Sequence, residues 1–115
     1  MRSVVYKYLI PFTEGFTLNL PIGSKVVSID TDQGNPYLWV LFPLDEKKIV
    51  KYHFKSSKTG GVMEHEEQLV FIDTYAIVIQ MELMLYVFLE KVTTEDDLVL
   101  TDAIDYVDNL GRGRG

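Results

Sequence analysis

Asp32-Gln33-Gly34-Asn35-Pro36 followed by Tyr37-Leu38-Trp39-Val40-Leu41-Phe42-Pro43 is the stretch that decides the fold class of this chain. The first five residues combine an Asx-turn former, a residue at ease with positive φ and a proline of fixed φ, which predicts a tight reversal. The six that follow are apolar at both parities, which predicts a central strand covered on both faces and ended by Pro43. Trp39, with Tyr37 and Phe42, is therefore expected in the core rather than around a ligand.

Working outward, the same vocabulary recurs. Val4 to Ile10 is rich in β-branched and aromatic residues and stops at Pro11. Thr17 to Leu20 alternates, Pro21-Ile22-Gly23-Ser24 turns, and Lys25 to Thr31 resumes β-type residues. Ile49 to Lys55 sets Val50, Tyr52 and Phe54 on one face and Lys51, His53 and Lys55 on the other, so it predicts a strand with one wet face. Ser56 to Gln68 is polar and glycine-bearing, the longest expected loop. Leu69 to Ile79 and Leu83 to Leu89 form a further expected hairpin around Gln80-Met81-Glu82. Thr101 then reads as an N-cap for a helix over Asp102 to Leu110, with Ala103, Ile104, Val107 and Leu110 at helical spacing and Gly111 as its stop.

The expected fold class is thus mainly β, a small antiparallel sheet, sandwich or partly open barrel of about six or seven strands with a short C-terminal helix. Residues 1–92 form the expected β domain, 93–110 an acidic, helix-like extension, and 111–115 a disordered Gly-Arg-Gly-Arg-Gly tail. A chain of 115 residues with 47% hydrophobic content is one globular domain that needs no staple. The absence of cysteine excludes disulfides, thiolate nucleophiles and cysteine-ligated metals, and fits a reducing cytoplasm. Lys7 and Pro11 interrupt the first apolar run, so no signal peptide is expected. The run from Tyr75 to Leu89 is too short for a membrane helix and contains Gln80 and Glu82, so no membrane partner is expected either.

From Val4 to Glu90 the chain resembles a small uncharacterised family of β-rich proteins encoded mostly by bacteriophages and prophages. The residues that carry the likeness are Val5-Tyr6-Lys7-Tyr8, Leu20-Pro21-Ile22-Gly23-Ser24-Lys25-Val26-Val27, Gln33-Gly34-Asn35-Pro36-Tyr37-Leu38-Trp39-Val40-Leu41, Thr59-Gly60 and Val87-Phe88-Leu89-Glu90. The Gln-x-Gly-x-Pro-x-Leu-Trp order is the most specific of these. Where the family continues Thr-Gly with His-Pro, this chain has Gly61-Val62, and the segment beyond Glu90 is an extension. The resemblance implies a compact β domain and a phage accessory protein acting in the bacterial host cytoplasm.

Charge is distributed unevenly. Residues 1–63 hold eight Lys and Arg against five Asp and Glu, and residues 64–115 hold three against twelve, so a +3 half precedes a −9 half. That balance argues against direct nucleic-acid binding, which needs a basic face, and points to a protein partner with a basic surface. Glu95, Asp96, Asp97, Asp102, Asp105 and Asp108 occur without an intervening Lys or Arg. Three arrangements suit this segment: a helix packed on the sheet by Ile104, Val107 and Leu110, a solvated tail, or an acidic helix docked in a basic partner groove.

Glu64-His65-Glu66-Glu67 with His53 offers metal-type ligands, but neighbours on a loop rarely converge on one ion, so a solvated acidic loop is expected, with no metal and no cofactor. No nucleophile elbow, phosphate loop or dinucleotide fingerprint occurs, so no catalytic residues are expected. The leading expectation is a non-enzymatic phage accessory protein that binds and inhibits or redirects a host or defence protein through its acidic surface. The alternatives are a protein sequestering a nucleotide-like anion near Lys51, His53, Lys55 and the 56–68 loop, and a virion or structural component. A homodimer is expected as one way to cover open sheet edges.

Overall fold

The structure is a computed structural model, and it describes residues 2–64, 68–96 and 98–102. Eight strands are present: β1 (Ser3–Leu9), β2 (Gly15–Pro21), β3 (Lys25–Asp32), β4 (Asn35–Pro43), β5 (Ile49–Lys58), β6 (Val70–Ile79), β7 (Met81–Thr93) and β8 (Val99–Asp102). They form two antiparallel sheets that do not close into a barrel. The smaller has the order β1-β4-β3, and the larger the order β2-β5-β7-β6, with β8 also pairing β7.

The tight reversal expected at 32–36 is the β3–β4 hairpin. Gln33 and Gly34 both take positive φ, 52° and 84°, the pair of conformations that a two-residue turn needs to match strand twist. The second hairpin turns at Gln80, φ 64°, which leaves Met81 and Glu82 inside β7 rather than in the turn. Likewise β5 runs through Lys58, so the connection to β6 begins at Thr59.

The core lies between the sheets. Leu38, Val40, Val50, Val87 and Leu89 are completely buried, with Leu20, Tyr52 and Phe54 beside them. The alternation of β5 supplies Val50, Tyr52 and Phe54, as its period-2 pattern requires. β3 crosses the larger sheet. Near its start the Tyr52 hydroxyl of β5 donates to the Ser24 carbonyl at 2.9 Å, and further along the Ile29 amide donates to Asp73 Oδ2 of β6 at 3.1 Å.

Two expectations need correcting. β4 is central in its own sheet, but only its Leu38 and Val40 face is buried. Tyr37 and Trp39 are half-buried on the outer face, because among the described residues no second layer packs on this three-stranded sheet there. The helix expected from Thr101 is not formed where it should begin: Thr101 and Asp102 are the last residues of β8, opposite Val92 and Lys91 of β7. An exposed strand end next to an unpaired neighbour outcompetes a marginal amphipathic turn. The remainder of that predicted helix, and the tail at 111–115, lie outside the described residues.

Candidate functional site

β5 is the strand on which the candidate site is built. Its outer face carries Lys51, His53 and Lys55 in a row, as the alternation predicts. His53 sits between the strands that flank β5: Nδ1 is 3.3 Å from Thr17 Oγ1 on β2, and Nε2 is 2.7 Å from Thr93 Oγ1 on β7. A neutral imidazole offers one donor and one acceptor, and each hydroxyl can supply the complement, so both ring nitrogens are satisfied in either tautomer. Thr93 is fully buried. His53 therefore ties three strands together.

A bulge brings a carboxylate to the same face. Phe54 pairs with Leu89 and His53 with Lys91, so Glu90 is the extra residue of β7. Its Oε2 is 2.8 Å from Lys55 Nζ and its Oε1 4.0 Å from Lys91 Nζ. The three residues read as an anion site do share a face, but Lys55 already has a carboxylate partner. The sequence pattern placed the face and missed Thr17, Thr93 and Glu90, since cross-strand register and a bulge leave no mark in periodicity.

An open groove of about 910 Å³ begins where β2 does. β2 starts at Gly15 opposite Lys55, and after the Ser56 amide donates to the Glu14 carbonyl at 2.8 Å the end of β5 continues past β2, so residues of both faces of the sheet line the groove. Its apolar wall includes Phe16, Phe54, Tyr75 and Leu85, and Phe16 stacks on Phe54 with centroids 5.0 Å apart. Phe12 and Val62 stand at its lips, 67% and 93% exposed. Burial pushes the Tyr75 phenol above its ordinary value. Ser56 Oγ is buried in the same wall, with no hydrogen-bond partner among the described residues. The rim carries both signs of charge, with Glu14, Glu64 and Lys58.

Gly61 shapes the groove locally. A Cβ there would stand 2.6 Å from Ser57 Oγ and 3.0 Å from the Lys58 carbonyl, so a larger residue at this position requires the Ser57 hydroxyl to turn away and the backbone to give by a few tenths of an ångström. The Gly61-Val62 pair thus has a steric reason that a bulkier residue at position 61 would violate.

A family model described as "Domain of unknown function (DUF7352)" matches residues 1–97. The chain belongs to this family. No curated protein and no solved structure matches it. The DUF7352 span contains the whole groove, the His53 ties and the Glu90 bulge, and β8 lies past its end.

The acidic residues are only partly gathered. Glu95 and Asp96 are exposed in the turn after β7, which is held by the Thr94 amide donating to the Leu98 carbonyl at 2.8 Å. Asp102 pairs in register with Lys91. Asp97, Asp105 and Asp108 lie outside the described residues, as do His65, Glu66 and Glu67 of the acidic loop. Among the described residues no group of three His, Asp or Glu is placed to hold a metal, and no helix is long and apolar enough to cross a membrane.

The outer face of the smaller sheet of this DUF7352 domain is the other unusual surface. Val5, Leu9, Tyr37, Trp39 and Leu41 share it, with Val5 and Leu9 half or more exposed. Lys7 is the cation among them. Its Nζ lies 4.5 Å from the Tyr37 ring centroid, 5.7 Å from that of Trp39 and 3.5 Å from Asp32 Oδ2.

Proposed function

We propose that this protein is a non-enzymatic phage or prophage accessory protein that binds a host or defence protein in the bacterial cytoplasm and inhibits or redirects it. The groove carries this reading. An aromatic wall open on two faces, with Phe12 and Val62 exposed at its lips and charges of both signs at its rim, suits an apolar anchor side chain of a partner. The −9 half of the chain, with Glu95 and Asp96 at an exposed turn beyond the Thr93 end of β7, away from the groove, supplies a second area of contact complementary to a basic partner surface.

The test is capture from host lysate on immobilised protein, repeated with Phe12→Ser/Val62→Ser and with Glu95→Gln/Asp96→Asn. The same partner should be lost with the first pair and weakened with the second, most at low salt and progressively less as salt screens the wild-type charges. A partner retained by both variants, or none recovered, overturns the reading. A second reading, sequestration of a nucleotide-like anion, draws on Lys58 beside His53 and Lys55 at the rim, although Glu90 competes for Lys55. A thermal shift against a nucleotide panel that disappears in Lys58→Ala would favour it.

A further inference from the structure

Five described strands lie at sheet edges, and they are not alike: β8 is only four residues long, itself a guard against pairing. The open side of β3 is occupied at Ile29, whose amide donates to Asp73 of β6, and β3 is bulged between Val26 and Ser28. β6 is bulged between Phe71 and Asp73, and β2 ends in Pro21. Bulges, proline and inward carboxylates are the ordinary guards of a sheet edge. β1 has none of them. It pairs with β4 in unbroken register from Ser3↔Pro43 to Leu9↔Tyr37.

Its outward backbone groups can be assigned. The Arg2 carbonyl accepts from Leu44 and the Ile10 amide donates to Pro36, so the even-numbered residues of this regular strand face β4. Ser3, Val5, Lys7 and Leu9 then turn N–H and C=O to the open side, and among the described residues nothing bonds them there. The lysine that would guard the edge is drawn off it. Lys7 reaches across β4 to Tyr37, Trp39 and Asp32, away from the open side.

From this we infer that β1 pairs antiparallel with β1 of a second copy of the chain, joining the two small sheets into one six-stranded sheet across a two-fold axis. Antiparallel pairing makes the edge its own complement. Charge selects the copy as occupant: the strands of the smaller sheet hold Lys7 and Lys25 against Asp30 and Asp32, so this sheet is neutral while the chain carries −6, and its edge is where two acidic chains meet with least repulsion. The register follows from the same residues. Centring on Lys7 would set Lys7 against its own copy. Centring on Tyr6 sets Val5 against Lys7 and Ser3 against Leu9, engages all of β1 and forms about eight inter-chain backbone hydrogen bonds. It also continues the Val5, Leu9 and Trp39 face across the axis.

The chain has no cysteine, which makes the register directly testable. Tyr6 would face its own copy across a non-hydrogen-bonded pair, a separation that a disulfide spans. Sedimentation equilibrium of the full chain should give a dimer, and Tyr6→Cys should cross-link it on mild oxidation while Leu9→Cys does not. Val5→Pro, at an amide bonded to none of the described residues, should shift the dissociation constant upward by tenfold or more with the thermal unfolding midpoint of the diluted monomer little changed. Val5→Lys serves as the second variant and should do the same. A monomer at high micromolar concentration, a dimer indifferent to both Val5 variants, or cross-linking through Leu9 in place of Tyr6 overturns the proposal.

Discussion

The seam between β3 and β6 and the edge at β1 are built from similar β-rich residues yet behave as opposites. At the seam, Asp73 turns inward, accepts the Ile29 amide with one oxygen and the Thr74 amide with the other, and both strands bulge to meet it. At β1 the register is unbroken and the one cation leans away. An edge is thus closed by particular side chains of another strand, not by its own composition.

The sharpest way to break this contrast is a proline at each edge. Ile29→Pro deletes an amide that is bonded to Asp73 and a side chain that is 7% exposed, and should cost about 3 kcal/mol or more in urea unfolding. Val5→Pro should cost the monomer about 1 kcal/mol or less, since an edge proline facing solvent removes no bond. Equal losses would erase the distinction. Next, Asp73→Ala leaves the Ile29 amide unpaired at the seam and should cost about 1–3 kcal/mol, with Asp73→Asn recovering most of it because an amide oxygen still accepts.

A smaller effect compares the two ties of His53. Thr93→Val, at a fully buried hydroxyl 2.7 Å from the ring, should cost about 1 kcal/mol, and Thr17→Val, exposed and at 3.3 Å, clearly less. The smallest effect is confined to alkaline pH. Burial holds the Tyr8 and Tyr75 phenols above the ordinary value of 10.0, with neighbouring Tyr6 adding to the shift of Tyr8. The unfolded chain therefore releases these protons first. Stability is intact below pH 10 and falls as pH rises through and beyond it, a decline that Tyr75→Phe and Tyr8→Phe should each flatten in chemical denaturation series.

The strands were legible in the sequence wherever a local rule governs them. Gln33-Gly34 reverses the chain because those two residues tolerate positive φ, and Val50, Tyr52 and Phe54 point inward because side chains alternate. The row of Lys51, His53 and Lys55 was legible for the same reason. What those side chains touch was not, because Thr17 and Thr93 stand 36 and 40 residues from His53 along the chain. The apolar run at Tyr37 to Phe42 misled for a related reason. Hydrophobicity at both parities says that two faces avoid water, and here Lys7 and the aromatic rings partly cover a face that no second layer reaches.

By itself, then, the sequence determined a β chain of short alternating segments, its turns, its inward faces and a division of charge between two halves. Which strands became neighbours, where Glu90 bulged onto Lys55, where the larger sheet was left open as a groove, and that β1 is the long described edge without a guard follow from the packing of the two sheets. The physical reason is that a period of two specifies which way a side chain points, whereas pairing depends on contacts between residues far apart in the chain, and those are settled together when the two sheets pack.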